Sequence, residues 1–173
     1  MSMAEKIISF SDVRLWKHSI IGNVFRGVKG LYEYPVVYTD GLISRCKKDK
    51  AGRKPWGILF RNRIVALNDA PEKMTFAAAE YYCQDAVFAG EYCVVEDFEL
   101  LERLNKQIYK INRLLQELGG TPLKNDYYLS RTVCARGHDV VKMNGLKNRN
   151  IRYAAPEDRV CFRPMIDLRL YFR

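Results

Sequence analysis

The longest ordered pattern in the chain is one apolar stripe. Phe98, Leu101, Leu104, Ile108, Ile111, Leu115 and Leu118 step by 3, 3, 4, 3, 4 and 3 residues. That spacing keeps them on one face of an α-helix, while Glu99, Glu102, Arg103, Lys106, Lys110 and Arg113 fill positions between them. It predicts helix throughout this stretch, with room for two helices meeting near residues 105–107, and Gly119-Gly120 ends it. The stripe reads as core rather than cofactor contact. Glu96, Asp97, Glu99 and Glu102 sit at the start, where acids complement the helix dipole. A shorter helix of about three turns is predicted upstream. Thr75 is a suitable N-cap, and Phe76, Ala79, Cys83 and Ala86 share a face before Gly90.

The pattern on either side is β-like. Gly57-Ile58-Leu59-Phe60 and Ile64-Val65-Ala66-Leu67 flank the polar triplet Arg61-Asn62-Arg63 and predict a hairpin, which Asn68-Asp69-Ala70-Pro71 interrupts. After residue 121 the helical period disappears. Tyr127-Tyr128-Leu129 and residues 139–143, 159–162 and 168–172 read as strands, with Gly137, Gly145 and Lys147-Asn148-Arg149-Asn150 in loops. Residues 1–56 hold short apolar pieces divided by glycines, and predict strands, loops and an N-terminal arm that could serve assembly. Helices confined to the middle imply an α+β fold of short antiparallel strands around two or three central helices. The expected division is 1–56 as the strand and loop segment and 57–173 as the domain.

Charge and composition narrow the partners. Lys and Arg exceed Asp and Glu by 29 − 20 = 9, with a pI near 9.4, which favours an anionic partner such as nucleic acid, an acidic glycan or an acidic protein face. Eleven tyrosines suit an irregular core or a recognition surface equally. The five cysteines, Cys46, Cys83, Cys93, Cys134 and Cys161, are odd in number and contain no Cys-x-x-Cys. They read as small buried apolar residues in a reducing compartment. The first residues lack the apolar core of a signal peptide, and no long apolar run could span a bilayer. The expectation is a chain made in the cytoplasm without membrane insertion, with later release in a particle left open.

Candidate chemistry is sparse. His18 and His138 are the histidines, and His138 has only Cys134 and Asp139 nearby, which is thin for a metal site. No phosphate-cradling glycine loop occurs. The sequence therefore predicts no catalytic residues, no metal and no cofactor. The richest basic run, residues 45–54, sets Arg45, Lys47, Lys48, Lys50, Arg53 and Lys54 against Asp49 alone. It reads as a solvated loop or as an electrostatic docking site.

A series of short motifs then falls in order. They are Gly57-Ile58-Leu59-Phe60, Ala66-Leu67-Asn68-Asp69-Ala70, Phe76-Ala77-Ala78-Ala79 with Tyr82-Cys83, Glu99-Leu100, Ile111-Asn112, Gly119-Gly120, Tyr127-Tyr128-Leu129-Ser130 and Arg163-Pro164-Met165. The series resembles C-type-lectin-like domains of the DUF1566 and Fibrobacter-major-paralogous type, found in surface proteins of gut bacteria and in phage proteins. The chain departs from that pattern where Val94-Val95-Glu96 puts a Glu in place of the usual capping hydroxyl, and where Tyr128 replaces a tryptophan. It also lacks the calcium-ligand tripeptides of sugar-binding lectins.

The resemblance implies a lectin-like scaffold without that site, and the leading expectation is a non-enzymatic structural or attachment protein of a phage-type virion. Its partners would be other protein subunits, most simply copies of itself, with residues 1–56 reaching a neighbour. An adhesin module is the alternative. It would bind a host-surface glycan or protein through the loops between residues 130 and 158, with contacts from Arg131, Arg136, His138, Lys147, Arg149, Asn150, Arg152 and Tyr153. Nucleic-acid binding ranks below both, because it rests on charge alone.

Overall fold

The expected hairpin forms the middle of the main sheet. The computed structural model describes residues 29–84, 93–148 and 152–170. Strands β3 (Pro55–Phe60) and β4 (Arg63–Ala66) pair antiparallel from Gly57↔Ala66 to Phe60↔Arg63. The connection is two residues rather than three. Arg61 and Asn62 both have positive φ, 45° and 63°, the backbone of a tight turn whose twist matches that of the strands. Arg63 therefore belongs to the strand, and its side chain turns inward.

Strands β1 (Leu31–Tyr38) and β2 (Ile43–Cys46) extend this sheet on one side, and β8 (Met165–Asp167) closes the other, in the order β2-β1-β3-β4-β8. Every pairing in it is antiparallel. The division expected at 56/57 falls inside β3, and residues 31–46 supply two strands of the same sheet. The cause is apolar: Val36, Val37 and Tyr38 are fully buried, so β1 cannot stand apart. Residues 1–28, with His18 and the first half of the expected assembly segment 1–56, lie outside the described residues, as do Ala86, Gly90, Arg149 and Asn150.

The helical stripe folds as two helices, α2 (Phe98–Lys106) and α3 (Ile108–Glu117), broken at Gln107. The helix start differs from the expected one. Asp97, not Glu96, is the cap, its Oδ1 accepting from the Leu100 N–H at 2.8 Å, while Glu96 is buried behind it. Upstream, α1 (Phe76–Gln84) is capped as expected, with Thr75 Oγ1 accepting from the Ala78 N–H at 3.2 Å.

A second antiparallel sheet has the order β5-β6-β7, from Tyr127–Cys134, Gly137–Lys142 and Arg152–Ala154. It contributes to two apolar clusters. Tyr128, Val141 and Met143 join Leu101 and Leu104 of α2 in one. Leu129, Val140 and Ala154 join Ala79 and Cys83 of α1 in the other. The chain end also departs from the pattern. The last strand is Met165–Asp167, and Leu168–Leu170 is a 3-10 turn rather than a strand. Asp167 causes the bend, its Oδ1 accepting from the Arg169 N–H at 3.0 Å, and the Leu168 N–H donates to Asn62 O at 2.9 Å. The described residues thus form an α+β fold of three α-helices and two antiparallel sheets.

Candidate functional site

Five of the expected contact residues, Arg131, Arg136, His138, Arg152 and Tyr153, lie on the small sheet or in its hairpin turn. Register explains their grouping. His138 stands opposite Ala154 and Asp139 opposite Tyr153, so alternate residues face opposite sides. On one side the His138 ring stacks on Phe76 of α1, with centroids 3.5 Å apart. On the same side Lys142 and Arg152 each stand over the Tyr127 ring at 5.6 Å. At the hairpin end, exposed Arg136 lies close enough to the exposed Tyr153 that the tyrosine holds the guanidinium pKa above its ordinary value. Arg131 sits in a bulge of β5 between Leu129 and Val133, and its guanidinium lies 3.7 Å from Asp97.

Lys147 is not part of this group. It follows the far end of β6, in a loop locked to α2 by buried amide chemistry. Asn105, fully buried, donates to Leu146 O at 2.7 Å and accepts from the Gly145 N–H at 2.8 Å. Glu102 accepts from the Asn148 amide at 2.7 Å and from its backbone N–H at 3.3 Å. The result is an exposed apolar pair on a fixed frame. Leu146 is 68% exposed and Tyr109 is 74% exposed. Gly145 links them, since a Cβ there would stand 3.1 Å from Tyr109 Cε2.

The sequence reading missed Asn105, Glu102, Tyr109 and Leu146. A signal was present in Asn105: it lies four residues after Leu101 and three before Ile108, a polar residue on the apolar face. Such a position needs a buried hydrogen-bond partner.

The basic run 45–54 is partly consumed by its own surroundings. Arg45 donates to Tyr32 O and Glu33 O, both at 2.9 Å. Lys47 pairs with Glu117 at 3.3 Å, Lys50 donates to Glu117 O at 3.2 Å, and Arg53 pairs with Asp40 at 2.8 Å. Lys48 and Lys54 are exposed. These contacts tie the run to the end of α3 and favour the local reading over a continuous docking strip.

Two buried charge units lie elsewhere. In the first, Arg163 donates to Asp69 at 2.7 Å, to Ala66 O at 3.1 Å and to Thr121 O at 2.9 Å, and Tyr128 Oη donates to Asp69 at 2.8 Å. In the second, Arg63 binds Glu96 at 3.2 Å and lies 3.9 Å from Asp167, which Arg169 grips through two nitrogens at 2.8 and 3.0 Å. Burial pushes the Glu96 carboxyl up, and Arg63 offsets only part of that shift. Burial also acts on Asp167, but the Arg169 bonds and the Arg63 charge outweigh it and hold that carboxyl low. An open polar groove of about 310 Å³ lies beside this unit, lined by Arg61, Arg63, Arg103 and Arg169 together with Asp97 and Glu99. Most of its arginines already face carboxylates.

Among the described residues no group of three or more His, Cys, Asp and Glu side chains is placed to hold a metal ion, and no helix is long and apolar enough to cross a membrane. In comparisons with known proteins, no family model, no curated protein and no solved structure matches the chain.

Proposed function

We propose that this chain is a non-enzymatic structural or attachment subunit of a phage-type particle, built on a C-type-lectin-like scaffold and acting through protein contacts. The scaffold half of this reading is supported by where the resembling motifs meet. Leu67 and Asp69 of one motif, and Gly120, Tyr128 and Arg163 of three others, lie at or beside the first buried charge unit. There the Thr121 N–H donates to Leu67 O at 2.9 Å, and a Cβ at Gly120 would stand 2.5 Å from that oxygen. A shared framework with its ligand-binding tripeptides missing is what a scaffold put to another use would retain.

The observation that carries the assembly half is the Tyr109–Leu146 pair. A large apolar side chain on a loose loop loses entropy when it docks. These two stand on a helix and on a loop pinned by the buried Asn105, so docking need not order the loop backbone as well as the side chains. The matching partner is another protein surface, in the simplest case a second copy. Self-association weakened by Tyr109→Ser with Leu146→Ser, at unchanged melting temperature, is the expected outcome in sedimentation. Equal association of variant and wild type is the result that removes the pair from the assembly.

The adhesin reading has one observation of its own, the exposed Arg136–Tyr153 pair at the opposite end of the small sheet. An aromatic ring beside a guanidinium suits an acidic or hydroxyl-rich receptor group. An attachment subunit would use both ends, one for neighbours and one for the receptor.

A further inference from the structure

The sequence offers no disulfide framework, yet the fold brings two of the five cysteines together. Cys83 is in the last turn of α1, and Cys93 immediately precedes the segment that enters α2. Their sulfurs lie 2.9 Å apart, and both side chains are buried in the same apolar cluster as Ala79, Val95 and Ile166. We infer that Cys83 and Cys93 are a covalent modification site, a thiol pair that closes to a disulfide in the presence of a low-molecular-weight disulfide such as oxidised glutathione.

The geometry carries the inference. A covalent S–S bond is about 2.0 Å long, so closure asks for a sulfur displacement of roughly 1 Å. The ends to be joined are already anchored: Val94, next to Cys93, donates its N–H to Met165 O at 2.8 Å in the main sheet. On the other side, Ala79 of α1 is fully buried. In the neutral pair Cys93 S–H donates to Cys83 Sγ. When Cys93 ionises, the donor role passes to Cys83. This shared hydrogen bond holds the Cys93 thiol below its ordinary value and the Cys83 thiol above it.

The chemistry balances as two exchange steps. The Cys93 thiolate attacks one sulfur of the external disulfide, forming a mixed disulfide and releasing one thiolate. The Cys83 sulfur, losing its proton, then attacks Cys93 Sγ and expels the second thiolate. The pair loses two electrons and two protons, and the small disulfide leaves as two thiols. Burial of the pair makes the first step depend on local opening, so the reaction is slow rather than forbidden. The product would tie the end of α1 to the main sheet beside β8.

The test uses the wild-type full chain incubated with oxidised glutathione under native conditions, then alkylated after denaturation. The expected result is loss of the Cys83 and Cys93 thiols from the five free cysteines, with no glutathione adduct retained on either of the two. A digest should contain one linked peptide joining Cys83 to Cys93, and dithiothreitol should restore all thiols. Cys93→Ser should keep every remaining thiol free of an internal link. A wild-type chain that keeps all its thiols, or one whose link joins other cysteines, overturns the inference. Because the decisive count is made on the wild type, a variant that fails to fold does not blunt it.

Discussion

Arg163 and Asp69 are 94 residues apart in sequence and 2.7 Å apart in space. The Arg163 side chain is 1% exposed, and each of its three nitrogens has a partner. Asp69 spends its second oxygen on the Tyr128 hydroxyl, whose pKa is raised first by burial and then by the Asp69 charge. One ion pair thus joins the end of the β4 loop, the start of β5 and the approach to β8. It also supplies donors to two backbone carbonyls, Ala66 O and Thr121 O, where these segments converge.

Removing one side of that pair should be costly. Arg163→Met leaves Asp69, whose side chain is only 12% exposed, without its cation and frees two carbonyls. We expect a loss of about 3 to 5 kcal/mol in urea unfolding, while Asp69→Asn, which keeps hydrogen-bonding capacity, should lose less. A loss near zero for Arg163→Met would mean that the three segments are held by other contacts.

The second charge unit predicts opposite pH limbs. Asp167 is held below its ordinary 3.8, so the stability it contributes is present above that pH and lost as pH falls through the lowered value. Glu96 is raised above 4.5, so its ionisation opposes folding, and stability declines as pH rises from 4.5 through the raised value. Chemical denaturation at stepped pH should show Asp167→Asn flattening the acid limb below 3.8. Glu96→Gln should remove the decline above 4.5. The same slopes in wild type and variants would rule this linkage out.

Gly137 should tolerate no side chain. Its Cβ would stand 2.0 Å from Ala154 O, where β6 meets β7, and its φ is +152°. Gly137→Ala must part the strands, with an expected cost of about 2 kcal/mol or more and loss of the Arg136–Tyr153 pairing. Gly52→Ala, with nothing within 4 Å of its Cβ, should cost only the backbone strain of its positive φ, about 1 kcal/mol. Melting curves of the two variants side by side are the check.

Tyr38 predicts an effect of the other sign. It is fully buried, its hydroxyl has no hydrogen-bond partner among the described residues, and burial pushes its pKa up to about 12. Tyr38→Phe should be neutral or stabilising by up to about 1 kcal/mol. A clear loss in urea unfolding would reveal a partner for that hydroxyl.

What the sequence made legible was periodic. The stripe from Phe98 to Leu118, its break near Gln107, the β3–β4 hairpin and the Thr75 cap all follow from spacing, because local geometry dictates them. What stayed hidden was long-range. Strand Arg152–Ala154 has only three residues and no alternation to read, and Glu96 is indistinguishable in sequence from an N-terminal helix acid until Arg63 is seen beside it. The candidate contacts divided for the same reason. Arg136 and Lys147 are loop residues of similar character, and only register puts them at opposite ends of β6.

The proposed assembly through a preset protein surface can be tested on the intact chain. The most direct measurement is the mass of the full chain by light scattering over a range of concentrations, for wild type and for Tyr109→Ser with Leu146→Ser. A defined oligomer for the wild type and a shift toward monomer for the variant are expected. A wild type that remains monomeric at every concentration contradicts the proposed assembly.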